Sequence, residues 1–192
     1  MKLQYVTRAA GMVLAVVVCA LVGGRWSAAA PPTQVQPAQG VAPLLTEAGD
    51  PVGTVTFTQE PGDVTVRVEV ANLPPGFHGF HVHTNGVCDP ATRFMSAGGH
   101  LNLGMSDLPG GGMAGDLTNL YVTADGTGTL SLRVDRFALS DLLADGGRAV
   151  VVHADPDNFR NLPERYGVTV DQATLDTGDA GARIACGVVQ AA

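Results

Sequence analysis

Residues 52–71 read VGTVTFTQEPGDVTVRVEVA, and the alternation in this stretch decides the fold class. In its second half Val64, Val66, Val68 and Val70 fall on one face, while Thr65, Arg67 and Glu69 fall on the other. A period of two marks a strand with one buried side, whereas a helix would repeat about every 3.6 residues. Glu60-Pro61-Gly62-Asp63 has turn chemistry, so the two runs read as a β-hairpin. Working outward, strands are predicted over residues 79–83, 116–123, 127–134, 149–153 and 185–189, and Ala124-Asp125-Gly126 supplies a second turn. Only residues 137–144 read as helix. Short strands with Gly- and Pro-bearing turns predict an all-β domain, an antiparallel sandwich or barrel. Residues 85–115 and 154–182 are long, glycine-rich and loop-like, and such loops in a compact domain tend to carry function.

The composition narrows the function classes. Among 192 residues, 25 glycines, 12 prolines and 15% charged residues exclude a helical bundle or coiled coil. An apolar content of 45% excludes whole-chain disorder. Eleven basic residues face 18 acidic ones, a net charge of −7. Lys2, Arg8 and Arg25 all lie before residue 30, so eight arginines against 18 acids leave −10 for the rest. That surface lacks the basic stripe of a nucleic-acid binder, and no nucleic-acid partner is expected.

The N-terminus reads as an export signal. Lys2 and Arg8 introduce an apolar run at 9–22, and small residues follow as far as Ala30. This pattern predicts a signal peptide over residues 1–29. The run is shorter than the roughly 20 residues of a membrane span, and an uncleaved anchor is the alternative. No membrane partner is expected after cleavage, and Val18 before Cys19 argues against lipid attachment there. Residues 30–43 are rich in Pro and Gln and read as a flexible spacer, which leaves 44–192 as the folded domain. The expected location is periplasmic, cell-envelope or extracellular. With Cys19 gone, Cys88 and Cys186 are most simply one disulfide, with two buried free thiols as the alternative. A bridge closing a loop that long contributes roughly 4–5 kcal/mol in the chain-entropy model.

The five histidines are His78, His81, His83, His100 and His153. On a strand His81 and His83 share one face with alpha carbons ~6.5–7 Å apart, close enough to grip one metal. An H-x-H pair also arises by coincidence in cores and on surfaces. His153 closes the run Val150-Val151-Val152 as either a ligand or a satisfied strand end. His100 follows Gly98-Gly99, where the backbone can approach another element closely. Four imidazoles from separate segments would favour copper or zinc over hard cations, but spacing alone does not bring them together.

The run G-F-H-G-F-H-V-H at 76–83, followed by G-V-C at 86–88, resembles the G-x-H-G-F-H-V-H…G-x-C signature of copper/zinc superoxide dismutases. A-G-G-H at 97–100, A-G-D-L at 114–117, G-R-A-V-V-V-H at 147–153 and G-A-R-I-A-C-G-V at 181–188 resemble further family segments, in order. N-L-P-E-R-Y at 161–166 and T-G-D-A-G at 177–181 are similar to actinobacterial members. The resemblance implies a Greek-key β-sandwich or barrel and a copper enzyme that converts superoxide to oxygen and hydrogen peroxide. It implies that His81, His83, His100 and His153 bind one copper per chain, with His100 also the bridging and proton-carrying imidazole. It makes Arg183 the residue that attracts the anion, Cys88 and Cys186 the family disulfide, and His78 a structural residue. A non-catalytic copper-binding or copper-storage protein on the same fold is the alternative, and Arg183 speaks for the enzyme.

One departure from the family concerns zinc. The family site needs two further histidines between the bridging histidine and an aspartate. Residues 101–115 read LNLGMSDLPGGGMAG, with Met113 and the region of Leu108 where those histidines would stand. A closed zinc site takes four ligands, whereas His100 and Asp116 make two, so no zinc is expected and Asp116 becomes a cap or turn residue. The partner that then holds the far nitrogen of His100 is not readable. Asp155 and Asp157 either include a carboxylate that steadies a copper histidine or only shape a turn. Met95, Met105 and Met113 are expected to be apolar loop side chains rather than Cu(I) ligands.

Overall fold

The computed structural model describes residues 38–104, 112–160, 167 and 170–192. The predicted signal peptide and residues 30–37 of the predicted spacer lie outside them, as do Met105 and Leu108. The strands are β1 (Gln39–Leu45), β2 (Pro51–Glu60), β3 (Asp63–Val70), β4 (Gly76–His78), β5 (Phe80–His83), β6 (Leu120–Val122), β7 (Gly128–Val134), β8 (Ala149–His153), β9 (Arg183–Val188) and β10 (Gln190–Ala191). Among the described residues there are also two short α-helices, α1 (Leu139–Leu143) and α2 (Gln172–Thr177), and three single turns of 3-10 helix.

The hairpin that opened the sequence reading is β2–β3, in register from Gly53 opposite Val70 to Glu60 opposite Asp63. Val64, Val66 and Val68 are fully buried and their odd-numbered neighbours are not. Each such valine contributes roughly 1.5–3 kcal/mol on leaving water. Among the described residues all strand pairings are antiparallel, and the main sheet runs β5-β8-β9-β1-β2-β3-β7, with β10 added on β1. After β3 the chain forms β4, rejoins the main sheet at its far edge as β5, pairs β6 back with β4 in a separate two-stranded sheet, and returns as β7 beside β3. This is the expected antiparallel Greek-key architecture. One core unites Phe57, Val66 and Val68 from the middle of the sheet with Phe80, Val82, Val150 and Val152 from its other end. Leu120, Val122 and the helix residues Leu139 and Leu142 close it.

The structure differs from the sequence reading at several elements, three of which bear on the site or the domain's extent. Among the described residues the first strand, β1, starts at Gln39, inside the expected spacer and ahead of Leu44. Gly40 and Pro43 hide this strand from pattern reading, yet β2 covers one of its edges and β9 and β10 the other. The strand expected over 116–123 shortens to β6, because Asp116 is bent aside to form an isolated bridge with His81. The second loop-like stretch contains α2, capped by the Asp171 side chain and ended by left-handed Gly178.

Candidate metal centre

β5 separates two environments. Phe80 and Val82 point into the main core, so the alternation sends His81 and His83 to the opposite face, where both are fully buried. β8 covers one edge of β5, with His81 opposite Val151 and His83 opposite Ala149. The other edge is covered by two loop segments. Leu101 N donates to Val82 O at 2.8 Å and Val82 N donates to Gly115 O at 2.9 Å. A Cβ on Gly115 would lie 2.2 Å from Val82 O, so only glycine lets this segment come so near. The result places His100 beside His83 and Asp116 beside His81. His153 ends β8 where a register shift sets it opposite Arg183.

The four rings therefore meet. His81 lies 4.0 Å from His100 and 4.7 Å from His153 between ring centroids, and His83 lies 4.9 Å from His100. One nitrogen from each falls within 4.8 Å of the others. The outer nitrogens are all held. His83 Nδ1 donates to Gly98 O (2.9 Å), His153 Nδ1 to Gly181 O (3.1 Å), His100 Nδ1 to Asp116 Oδ1 (2.7 Å) and His81 Nε2 to Asp157 Oδ2 (2.7 Å).

A neutral imidazole that donates from one nitrogen presents a lone pair at the other. That leaves His81 Nδ1 and the Nε2 atoms of His83, His100 and His153 facing inward. His81 Nδ1 is buried without a hydrogen-bond partner, and His83 Nε2 and His153 Nε2 face each other at 3.4 Å. Buried lone pairs turned on one another are unfavourable unless a cation sits among them, so this donor set fits a resident imidazole-binding metal such as copper. Burial first, then the neighbouring imidazoles, pushes His81 well below the usual histidine range. Burial, His100 and the Arg183 charge do the same to His83. Burial carries His153 down to about 4. These three rings are neutral and competent as ligands at neutral pH.

The carboxylates answer what the sequence left open. Asp157 does both things considered for it: Oδ2 accepts from His81, and Oδ1 accepts from Phe159 N at 2.6 Å to shape a turn. Asp155 instead joins through its backbone, accepting from Gly79 N and donating to Ala180 O. Asp116 is more than the turn residue expected. Oδ2 accepts from Met113 N at 2.8 Å, and Oδ1 is the partner of His100 that the sequence could not name. Burial drives the Asp116 carboxyl up, but the His100 hydrogen bond and charge prevail and leave it lowered. Burial raises Asp157. The A-G-D-L segment was the only sequence signal for Asp116. Arg160 gave no signal at all, yet its Nη2 lies 3.3 Å from Asp116 Oδ2. His78 stays outside the cluster, its ring nitrogens 2.7 Å from His153 O and 2.8 Å from Pro74 O.

A cavity of about 490 Å3 opens beside the cluster and is lined by His100, His153, Arg183 and Arg93, with Glu47 and Asp176 also in its wall. Arg183 is held by two carbonyls, Nη1 to Phe94 O (2.6 Å) and Nη2 to Gly98 O (2.7 Å). Burial lowers its pKa from the ordinary arginine value. Cys88 and Cys186 form a disulfide that ties the loop bearing those carbonyls to β9. Phe94, Ala97, Val151 and Cys186 pack together beneath that loop. Met95 lines the cavity and stands exposed rather than packed over the sheet.

The family model described as copper/zinc superoxide dismutase (SODC) matches residues 52–189. Superoxide dismutase [Cu-Zn] of Mycolicibacterium paratuberculosis is 43% identical over 162 residues, covering 74% of this chain and 70% of that protein. The Mycobacterium tuberculosis protein of the same name is 40% identical over 173 residues, covering 79% and 70%. Among solved structures, a double mutant of a SOD-like protein from Bacillus subtilis superimposes with a TM-score of 0.64 at 30% identity, over 77% of this chain and 95% of that one. The clock protein EA4 gives 0.63 at 32% identity, over 81% and 95%. With fold and sequence matched along most of its length, the chain belongs to the copper/zinc superoxide dismutase family.

Proposed function

We propose that this chain is an exported superoxide dismutase that works with one copper ion and has no zinc site. One observation carries the reading: four buried imidazole nitrogens converge, each with its outer nitrogen held, beside a cavity that also contains the Arg183 guanidinium. Copper there would supply one-electron exchange between two oxidation states, as required to convert two superoxide anions and two protons into dioxygen and hydrogen peroxide. His81 Nδ1 and the Nε2 atoms of His83, His100 and His153 would hold it.

The remaining work falls to the chain. Arg183, fixed by the Phe94 and Gly98 carbonyls, places positive charge in the cavity wall, where a small anion enters. His100 Nε2 is the nitrogen that can take up a proton and pass it on, while Asp116 keeps the other proton at Nδ1. Asp157 keeps the His81 proton at Nε2 and so leaves Nδ1 free for the metal. Copper storage would have no use for an anion-attracting guanidinium in the cavity, which favours the enzyme.

The residues do not fit zinc. His100 Nδ1 and Asp116 Oδ1, the two family ligands that remain, are bonded to each other, and a guanidinium lies against the other oxygen of Asp116. Residues 101–115 add no histidine or cysteine. The export reading rests on the basic and apolar N-terminus and on the disulfide, which suits an oxidising compartment. The test is metal analysis and a superoxide-decay assay on one reconstituted sample. The expected result is one copper, no zinc and catalysed decay. Full copper without catalysis would leave only the storage reading standing.

A further inference from the structure

Asp116 and Asp157 hold the two rings that lie closest together, His100 and His81, and a cation stands against the first of these carboxylates. Arg160 Nη2 is 3.3 Å from Asp116 Oδ2, and the two side chains are only 12% and 11% exposed. The Arg160 charge also acts on Asp157 and His81.

Arg160 reaches this place from the turn that carries Asp157. Asp157 Oδ1 accepts from Phe159 N, and Asn158 Oδ1 accepts from Arg160 N at 2.8 Å. Phe159 and Arg160 both sit at positive φ, 55° and 58°. Such a conformation is strained for a non-glycine residue and persists only where its surroundings hold it. Asn119 clamps the start of the turn, donating to Asp157 O (3.0 Å) and accepting from Asp157 N (2.8 Å). A second arginine divides the work: Arg136 donates to the backbone carbonyls of Asp116 and Met113, leaving the carboxylate to Arg160.

We propose that Arg160 is a positioning residue of the copper centre: its guanidinium anchors the Asp116 carboxylate behind His100, supplying the positive charge that a second metal would otherwise bring. A carboxylate taken out of water without a cation is unfavourable and turns toward solvent where it can. Anchored by Arg160, it stays on His100 Nδ1, and that bond keeps the ring in one tautomer with Nε2 facing the other three imidazoles. The inference rests on the copper reading, but its first test needs neither metal nor activity.

In the metal-free, nitrogen-15-labelled protein, long-range imidazole spectra report which nitrogen of His100 carries the proton. The native protein is expected to show the Nδ1–H form alone, Arg160→Gln a mixture of both forms, and Arg160→Lys a return to the single form. After copper loading, Arg160→Gln is expected to shift the Cu(II) electron paramagnetic resonance spectrum. It should also lower the superoxide rate about tenfold at unchanged copper content, in line with other losses of an outer partner of a metal histidine. A native-like His100 signal and an unchanged Cu(II) spectrum in Arg160→Gln would overturn the proposal. Should glutamine prevent folding, Arg160→Lys decides: the single form supports the charge role, and a mixed population refutes it. An inactive copper-loaded native protein would sink the dismutase reading, and the tautomer result would still judge Arg160.

Discussion

Asp157 shows how much a single oxygen decides in this centre. Its Oδ1 is committed to Phe159 N, so an asparagine there would keep its amide oxygen on that donor and turn its NH2 toward His81. His81 Nε2 would then have to accept, and the ring proton would move to Nδ1, where the metal should bind. Asp157→Asn is therefore expected to weaken copper binding about 10- to 100-fold with the fold intact, measured by competition with a chelator. Unchanged affinity would mean that the proton position on His81 is set elsewhere. The resemblance made the four histidines readable, because each ends or interrupts a recognisable motif. Their outer partners were not readable: Asp157 is 76 positions from His81, and nothing local separates it from Asp155.

The centre is built along β5, whose two edges differ in kind. β8 pairs with it as a regular strand; the valine run at 150–152 marked the strand in the sequence but not its partner. On the other edge, short loop segments carrying His100 and Asp116 dock through a few backbone hydrogen bonds, and Gly115 permits the approach. Gly115→Ala would set a Cβ 2.2 Å from Val82 O, a contact the two backbones can relieve only by separating. We expect this variant to lose about 1–3 kcal/mol, as overpacked sites do, and to bind copper more weakly because His100 and Asp116 shift together. Thermal unfolding and copper titration would check both effects. Native affinity would show that the docking is softer than this geometry implies. The hairpin β2–β3 was legible to within one residue at each end because one sheet face is buried and the other is not. β1 was not, because Gly40 and Pro43 break the pattern and its place is set by partners from both ends of the chain.

Over the molecule, charge and function pull in opposite directions. The chain beyond residue 30 carries −10, while the proposed substrate is an anion. The cavity itself mixes Arg183 and Arg93 with Glu47 and Asp176. A fixed guanidinium in a partly dry cleft can outweigh a distant, well-screened surface charge. We therefore expect the second-order rate of the copper-loaded protein to fall as salt rises. Arg183→Ala should have a lower rate at low salt, with copper retained, and its rate should rise with salt as the net repulsion is screened. Stopped-flow superoxide decay across ionic strength would show it, and equal salt slopes in both proteins would remove Arg183 from steering.

Local order was enough to establish an all-β chain, its central hairpin and, through the family motifs, the histidines and cysteines that meet. Those features depend on alternation and on short motifs, which neighbouring residues carry without reference to the rest. The hold on each ring came only from the folded chain: Asp116 on His100, Asp157 on His81, Arg160 behind Asp116, and the Phe94 and Gly98 carbonyls on Arg183. Each of these contacts joins segments far apart in the chain, and a hydrogen bond or ion pair tolerates errors of only a few tenths of an ångström. That accuracy comes from close-packed strands and tightly docked loops, and no spacing along the chain encodes it.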